Sequence, residues 1–101
     1  MKIVIRLNSL TEKLIIKIDD EKLTFLVNEK SKKVDINNFV MRLQVIVSSW
    51  EPLMVDDSIL DGIEYEVVMK LGDKIKKYIG KNAFPLNYDK FIQLINEVAE
   101  W

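Results

Sequence analysis

A chain of 101 residues, 49% apolar and 31% charged, has the length and composition of one globular domain, not of two and not of a disordered tail. It holds no cysteine and no histidine, which excludes disulfides, thiolate metal sites and histidine-based catalytic triads. The net charge of −1 is segregated: residues 51–66 carry −6 and residues 67–81 carry +4.

The segments KIVIRLN, KLIIKID and KLTFLVN each alternate apolar with polar residues. Ile3, Ile5 and Leu7 share one face, as do Leu14, Ile16 and Ile18, and Leu23, Phe25 and Val27. Period two with β-branched residues predicts three strands, and the breaks NSLT and DDEK are short enough for hairpins. EKSKK is expected to turn the chain, with Val34 and Ile36 adding a short fourth strand. Ile36, Phe39, Val40, Leu43, Ile46, Val47 and Trp50 fall at helical spacing, a stripe that predicts a helix ending by Trp50, before Pro52. Asp35 or Asn37 is its expected cap.

Residues 51–62 read as an acidic connector closing on Asp61-Gly62. IEYEVVMKL follows as a strand, and Gly72-Asp73 suits a two-residue hairpin turn into KIKKYIG. That turn pairs Val67 with Tyr78 and leaves Ile75 and Ile79 on the opposite face, so either both faces are partly covered or a longer loop shifts the register.

GKNAFPLNYDKF, residues 80–91, reads as a handover from strand to helix. Gly80 is expected to end the strand at positive φ, and Asn82 to satisfy loop amides. Asn87 is the expected N-cap of YDKFIQLINEVAEW, with Leu86 and Phe91 as a hydrophobic staple. Asp89 sits where the helix dipole favours an acid.

The sequence predicts an α+β fold: residues 1–101 form a single domain, an antiparallel sheet of five or six strands with two helices packed on one face. Ile5, Ile16, Phe25, Phe39, Leu43, Val67, Phe91 and Ile95 are its expected core.

Enzymatic chemistry finds little support. With three glycines the chain has no phosphate-binding loop, and Ser9, Ser31, Ser48, Ser49 and Ser58 sit in no nucleophile elbow. Asp56, Asp57, Asp61, Glu64 and Glu66 invite a test for a hard cation. Against the EF-hand template begun at Asp57, Asp61 and Gly62 fit, but Ile59 and Val68 stand where ligands are required. We expect a solvated acidic face, no metal, no cofactor and no catalysis. Lys74, Lys76, Lys77 and Lys81 around Tyr78 resemble a single-strand nucleic-acid patch, yet the chain has no net positive charge and this block has no arginine.

Trp50, Leu60-Asp61-Gly62, Tyr65 and the Gly80-x-Asn82-x-x-Pro85-x-Asn87-Tyr88 box, with Phe91 beyond it, resemble a pattern in small uncharacterised bacterial proteins. The resemblance covers the second half of the chain and implies a fold without an activity.

The expected function is therefore a non-catalytic protein-interaction module, in its concrete form a small inhibitor or immunity protein that occludes its partner. The alternative is a nucleic-acid-binding module using the lysine cluster. Asp56, Asp57, Asp61, Lys74, Lys76, Lys77, Tyr78 and Trp101 are the expected partner-binding residues. No stretch approaches the about 18 apolar residues of a membrane span and no signal peptide is visible, so a cytoplasmic protein without membrane contact is expected.

Overall fold

Alternation decides the first strands. β1 (Lys2–Asn8), β2 (Lys13–Asp19) and β3 (Thr24–Val27) bury every second residue and form an antiparallel meander in which Ile5 pairs with Ile16 and Ile18 with Phe25. The computed structural model describes residues 1–58 and 62–101. Among these, seven strands make one sheet in the order β4-β3-β2-β1-β6-β7-β5.

The fourth strand is not at Val34 and Ile36. Asn28 and Glu29 both hold positive φ, 49° and 67°, which closes a two-residue turn of the hairpin type. The chain therefore returns at once as β4 (Lys30–Ser31), with Val27 opposite Lys30. Ile36 instead opens α1 (Ile36–Val47), whose cap is Asp35: its carboxylate accepts the Asn38 amide. Trp50 lies beyond the helix end but remains 6% exposed.

α1 carries the chain from one end of the sheet to the other. There the expected connector contains a strand, β5 (Leu53–Val55), parallel to the last strand of the sheet. The sheet thus has seven strands and one parallel pairing, against the five or six antiparallel strands expected. β6 (Glu64–Leu71) and β7 (Lys74–Lys81) form the second hairpin. Val67 pairs with Tyr78 and Leu71 with Lys74, so the Gly72-Asp73 turn has two residues, with Gly72 at φ 65°. Ile75 and Ile79 consequently lie on the face away from the helices.

α2 (Tyr88–Asn96) packs beside α1. Both helices cover the same sheet face, and the core between them and the sheet contains all eight residues expected there. The Cα radius of gyration is 13.3 Å, close to the about 13 Å of a single domain of this length. Among the described residues, no helix is long and apolar enough to cross a membrane.

Three roles expected in residues 80–91 are corrected. Gly80 is not at positive φ; it lies inside β7, where a Cβ would sit 1.9 Å from Cε1 of Tyr65. Glycine is required because the ring lies directly on the backbone. Leu86 is fully exposed, so it forms no staple with buried Phe91. Asn87 makes no side-chain cap bond, because its amide is used elsewhere: Oδ1 accepts from Nε1 of Trp50 at 2.7 Å, and Nδ2 donates to the Ile46 carbonyl at 2.9 Å. Asn82 behaves as expected, its Oδ1 accepting the Ile63 amide at 3.0 Å.

Candidate functional site

The residues expected to meet a partner are dispersed. Asp56 follows β5, and its backbone amide donates to Lys81 across the parallel pair. Its carboxylate accepts both the hydroxyl and the amide of Ser58, which hold its pKa below the usual range. Asp57 is exposed beside it. Asp61 lies outside the described residues, as does Leu60. Among the described residues, acidic side chains nowhere gather in a group of three that would hold a cation.

β7 divides the lysines, because successive side chains on a strand point to opposite faces. Lys74 and Lys76 lie on the helix side with Tyr78; Lys77 and Lys81 lie on the other side. The cluster read from the sequence is two pairs back to back. Tyr78 and Trp101 are partly buried against the core. The Tyr78 ring lies 6.1 Å from that of Trp50, and the Trp101 amide donates to Asn96. Both aromatics are engaged with the fold rather than standing free on the surface.

The surface that the fold leaves uncovered is the sheet face opposite the helices. A one-sided antiparallel sheet ordinarily turns polar residues to water. This one places a half-buried aliphatic residue on each of five strands: Val4, Ile15, Leu26, Val68 and Ile79. Val4 and Val68 are direct cross-strand partners at the centre. Leu53, 64% exposed, continues the row from Ile79, and Ile75 is 63% exposed near the hairpin end.

Charge surrounds this aliphatic centre. Arg6 bridges to Glu66 at 2.8 Å, Lys17 to Glu29 at 2.6 Å and Lys81 to Glu64 at 3.8 Å. Lys2, Lys70 and Lys77 lie on the same face, so its margin is basic in balance. A groove of about 230 Å³ runs beside the Arg6–Glu66 pair, with Ile79 and Val55 along it. All the aromatic side chains of the strands, Phe25, Tyr65 and Tyr78, lie on the helix side. Among the described residues, the open face thus offers aliphatic contact and basic charge, and its strands present no ring on which a nucleic-acid base would stack.

The signal for this face was present in the sequence. It is the second apolar register of each strand, Val4, Ile15, Leu26, Val68 and Ile79, which the first register outweighs. Comparison with protein families, curated proteins and solved structures gave no match.

Proposed function

We propose that this protein is a non-catalytic interaction module of the small inhibitor or immunity type, acting in the cytoplasm, that occludes a partner protein with the open face of its sheet. The observation that carries this reading is the aliphatic centre at Val4 and Val68, left uncovered by both helices and set in a basic margin. Aliphatic surface released from water supplies affinity, at roughly 25 cal/mol per Å² before the costs of association. The charged margin guides encounter and rejects wrong partners. The partner surface that fits is aliphatic with an acidic border. A second copy of the chain would oppose basic margin to basic margin.

The experiment is capture of the partner from extract of the source cells, followed by a hydrogen-exchange footprint of the complex. Protection is expected on β1, β2 and β6. Val68→Glu should reduce capture at least about tenfold, a loss of about 1.4 kcal/mol, and Val4→Lys should do the same, with both variants keeping the wild-type circular dichroism spectrum. Lys74→Glu with Lys76→Glu, on the other side of β7, should leave capture unchanged. The nucleic-acid reading makes the opposite forecast. It requires binding of a single-stranded oligonucleotide whose affinity falls linearly with the logarithm of salt and weakens on removing Lys74, Lys76 and Lys77. That result would overturn the open-face reading.

A further inference from the structure

The two edges of the sheet are built differently. At one end β4 has two residues, Lys30 and Ser31, and is followed by Lys32 and Lys33. Shortness and lysine are the usual protections of an exposed strand edge. At the other end β5 is also short, at three residues, and follows Pro52, but it carries no lysine: its run is Glu51-Pro52-Leu53-Met54-Val55-Asp56-Asp57.

β5 also stays extended beyond its three assigned residues. The Pro52 carbonyl accepts from Ile79 and the Asp56 amide donates to Lys81, each at 2.9 Å. In a parallel ladder alternate residues bond to the same neighbour. Pro52, Met54 and Asp56 therefore face β7, and the N–H and C=O groups of Leu53 and Val55 point outward. The side chains of those two residues are 64% and 45% exposed. Outward backbone groups with exposed apolar side chains are what an added strand uses: the main chain supplies affinity and alternate side chains supply specificity.

The flanking charge selects the occupant. Glu51 lies before this edge, and Asp56 and Asp57 after it. Two copies paired antiparallel about Met54 would bring Glu51 of each beside Asp57 of the other. Like charges directly opposite are destabilising, so self-association is disfavoured. We propose that the β5 edge binds an extended, basic segment of another protein by strand addition, its apolar residues beside Leu53 and Val55 and its lysines or arginines reaching Glu51 and Asp57.

This site adjoins the open face at Leu53 and Val55, and its test changes Glu51 and Asp57, which the open-face test leaves alone. The probe is a short synthetic peptide alternating valine with threonine and ending in lysines, compared with the same peptide ending in glutamates. The readout is amide exchange of Leu53 and Val55 by NMR on the full chain. The lysine peptide should slow both amides about tenfold when held near ten times its Kd. The glutamate peptide, and a lysine peptide N-methylated along one edge, should leave them unchanged. Glu51→Lys with Asp57→Lys should transfer the preference to the glutamate peptide, whereas Val68→Glu should have no effect. The proposal is overturned if neither peptide slows these amides, if both peptides do so equally, or if they are slowed by raising the protein concentration alone.

Discussion

Trp50 donates its indole N–H to the side-chain oxygen of Asn87, 37 residues later in the chain, at 2.7 Å. The other end of the same amide donates to the Ile46 carbonyl in the last turn of α1. One asparagine thus joins the end of the first helix, the buried tryptophan and the start of the second helix. Asn87→Ala leaves the Trp50 N–H buried without its acceptor, at about 1–3 kcal/mol, and removes the bond to Ile46 as well. We expect a loss of about 2–4 kcal/mol in urea denaturation. Asn87→Ser should not restore it, although serine is a good N-cap. Full recovery by serine would show that capping, and not the clasp, is the role of this residue.

Gly80 and Tyr65 are cross-strand partners, and a Cβ at Gly80 would lie 1.9 Å from Cε1 and 2.1 Å from Cζ of the ring. Replacing a strand glycine by alanine ordinarily gains roughly 0.5–1 kcal/mol. Here the ring must leave a cluster in which it meets Trp50 at 5.2 Å and Tyr88 at 5.4 Å. Gly80→Ala should therefore destabilise by about 2–3 kcal/mol, the range of overpacking. Combining it with Tyr65→Ala should cost clearly less than the sum of the two single changes. Additive losses would place the strain elsewhere.

These two relationships mark how far the sequence could be read. Period two located β1, β2, β3 and β6, because each buries alternate residues on one face. The stripe from Ile36 to Val47 located α1 in the same way. β7, whose burial does not alternate, was placed by the Gly72-Asp73 turn before it. β5 was not legible: three residues are too few to show a period, and its strand conformation depends on β7, which follows it in the chain. The residues 80–91 looked like local turn and capping chemistry. Their chief contacts are long-range instead, the hydrogen bonds of Asn87 to Trp50 and Ile46 and the packing of the Tyr65 ring on Gly80, and local rules account for neither. The open face was hidden for another reason. Its aliphatic residues occupy the positions that alternation assigns to water, and the lysines of β7 could be sorted between faces only once the two-residue turn at Gly72 fixed the register.

Leu23 holds φ 53° in the turn between β2 and β3, with its side chain 74% exposed. A left-handed conformation costs a β-carbon-bearing residue about 1–2 kcal/mol, and this side chain gains little burial in return. Part of that cost returns as unfolded-state entropy when glycine is introduced. Leu23→Gly should raise stability by about 0.5–1 kcal/mol net, read as a shift in the urea midpoint at unchanged slope. A loss of stability would mean that the exposed leucine holds the turn through its side chain.

Tyr88 gives the fold a sensitivity to alkali. Its hydroxyl and that of Tyr65 are both buried without a hydrogen-bond partner among the described residues. Burial first, and the neighbouring Tyr65 second, push the Tyr88 pKa up to about 12 from the ordinary 10.0. The folded chain therefore keeps the phenol protonated where the unfolded chain has begun to ionise. Stability is complete below the unfolded pKa and is lost as pH rises through the interval from 10.0 to about 12. About 1.36 kcal/mol accompanies each pKa unit, and solvent screening of this half-buried side chain reduces the loss at the alkaline end to roughly 1–2 kcal/mol. Tyr88→Phe removes the ionisation and also an unsatisfied buried hydroxyl. It should match or slightly exceed the wild-type stability at neutral pH, and it should flatten the alkaline limb of the stability curve. The check is a series of urea melts from neutral pH to beyond the phenol range. An alkaline limb equally steep in Tyr88→Phe would assign the loss to other groups.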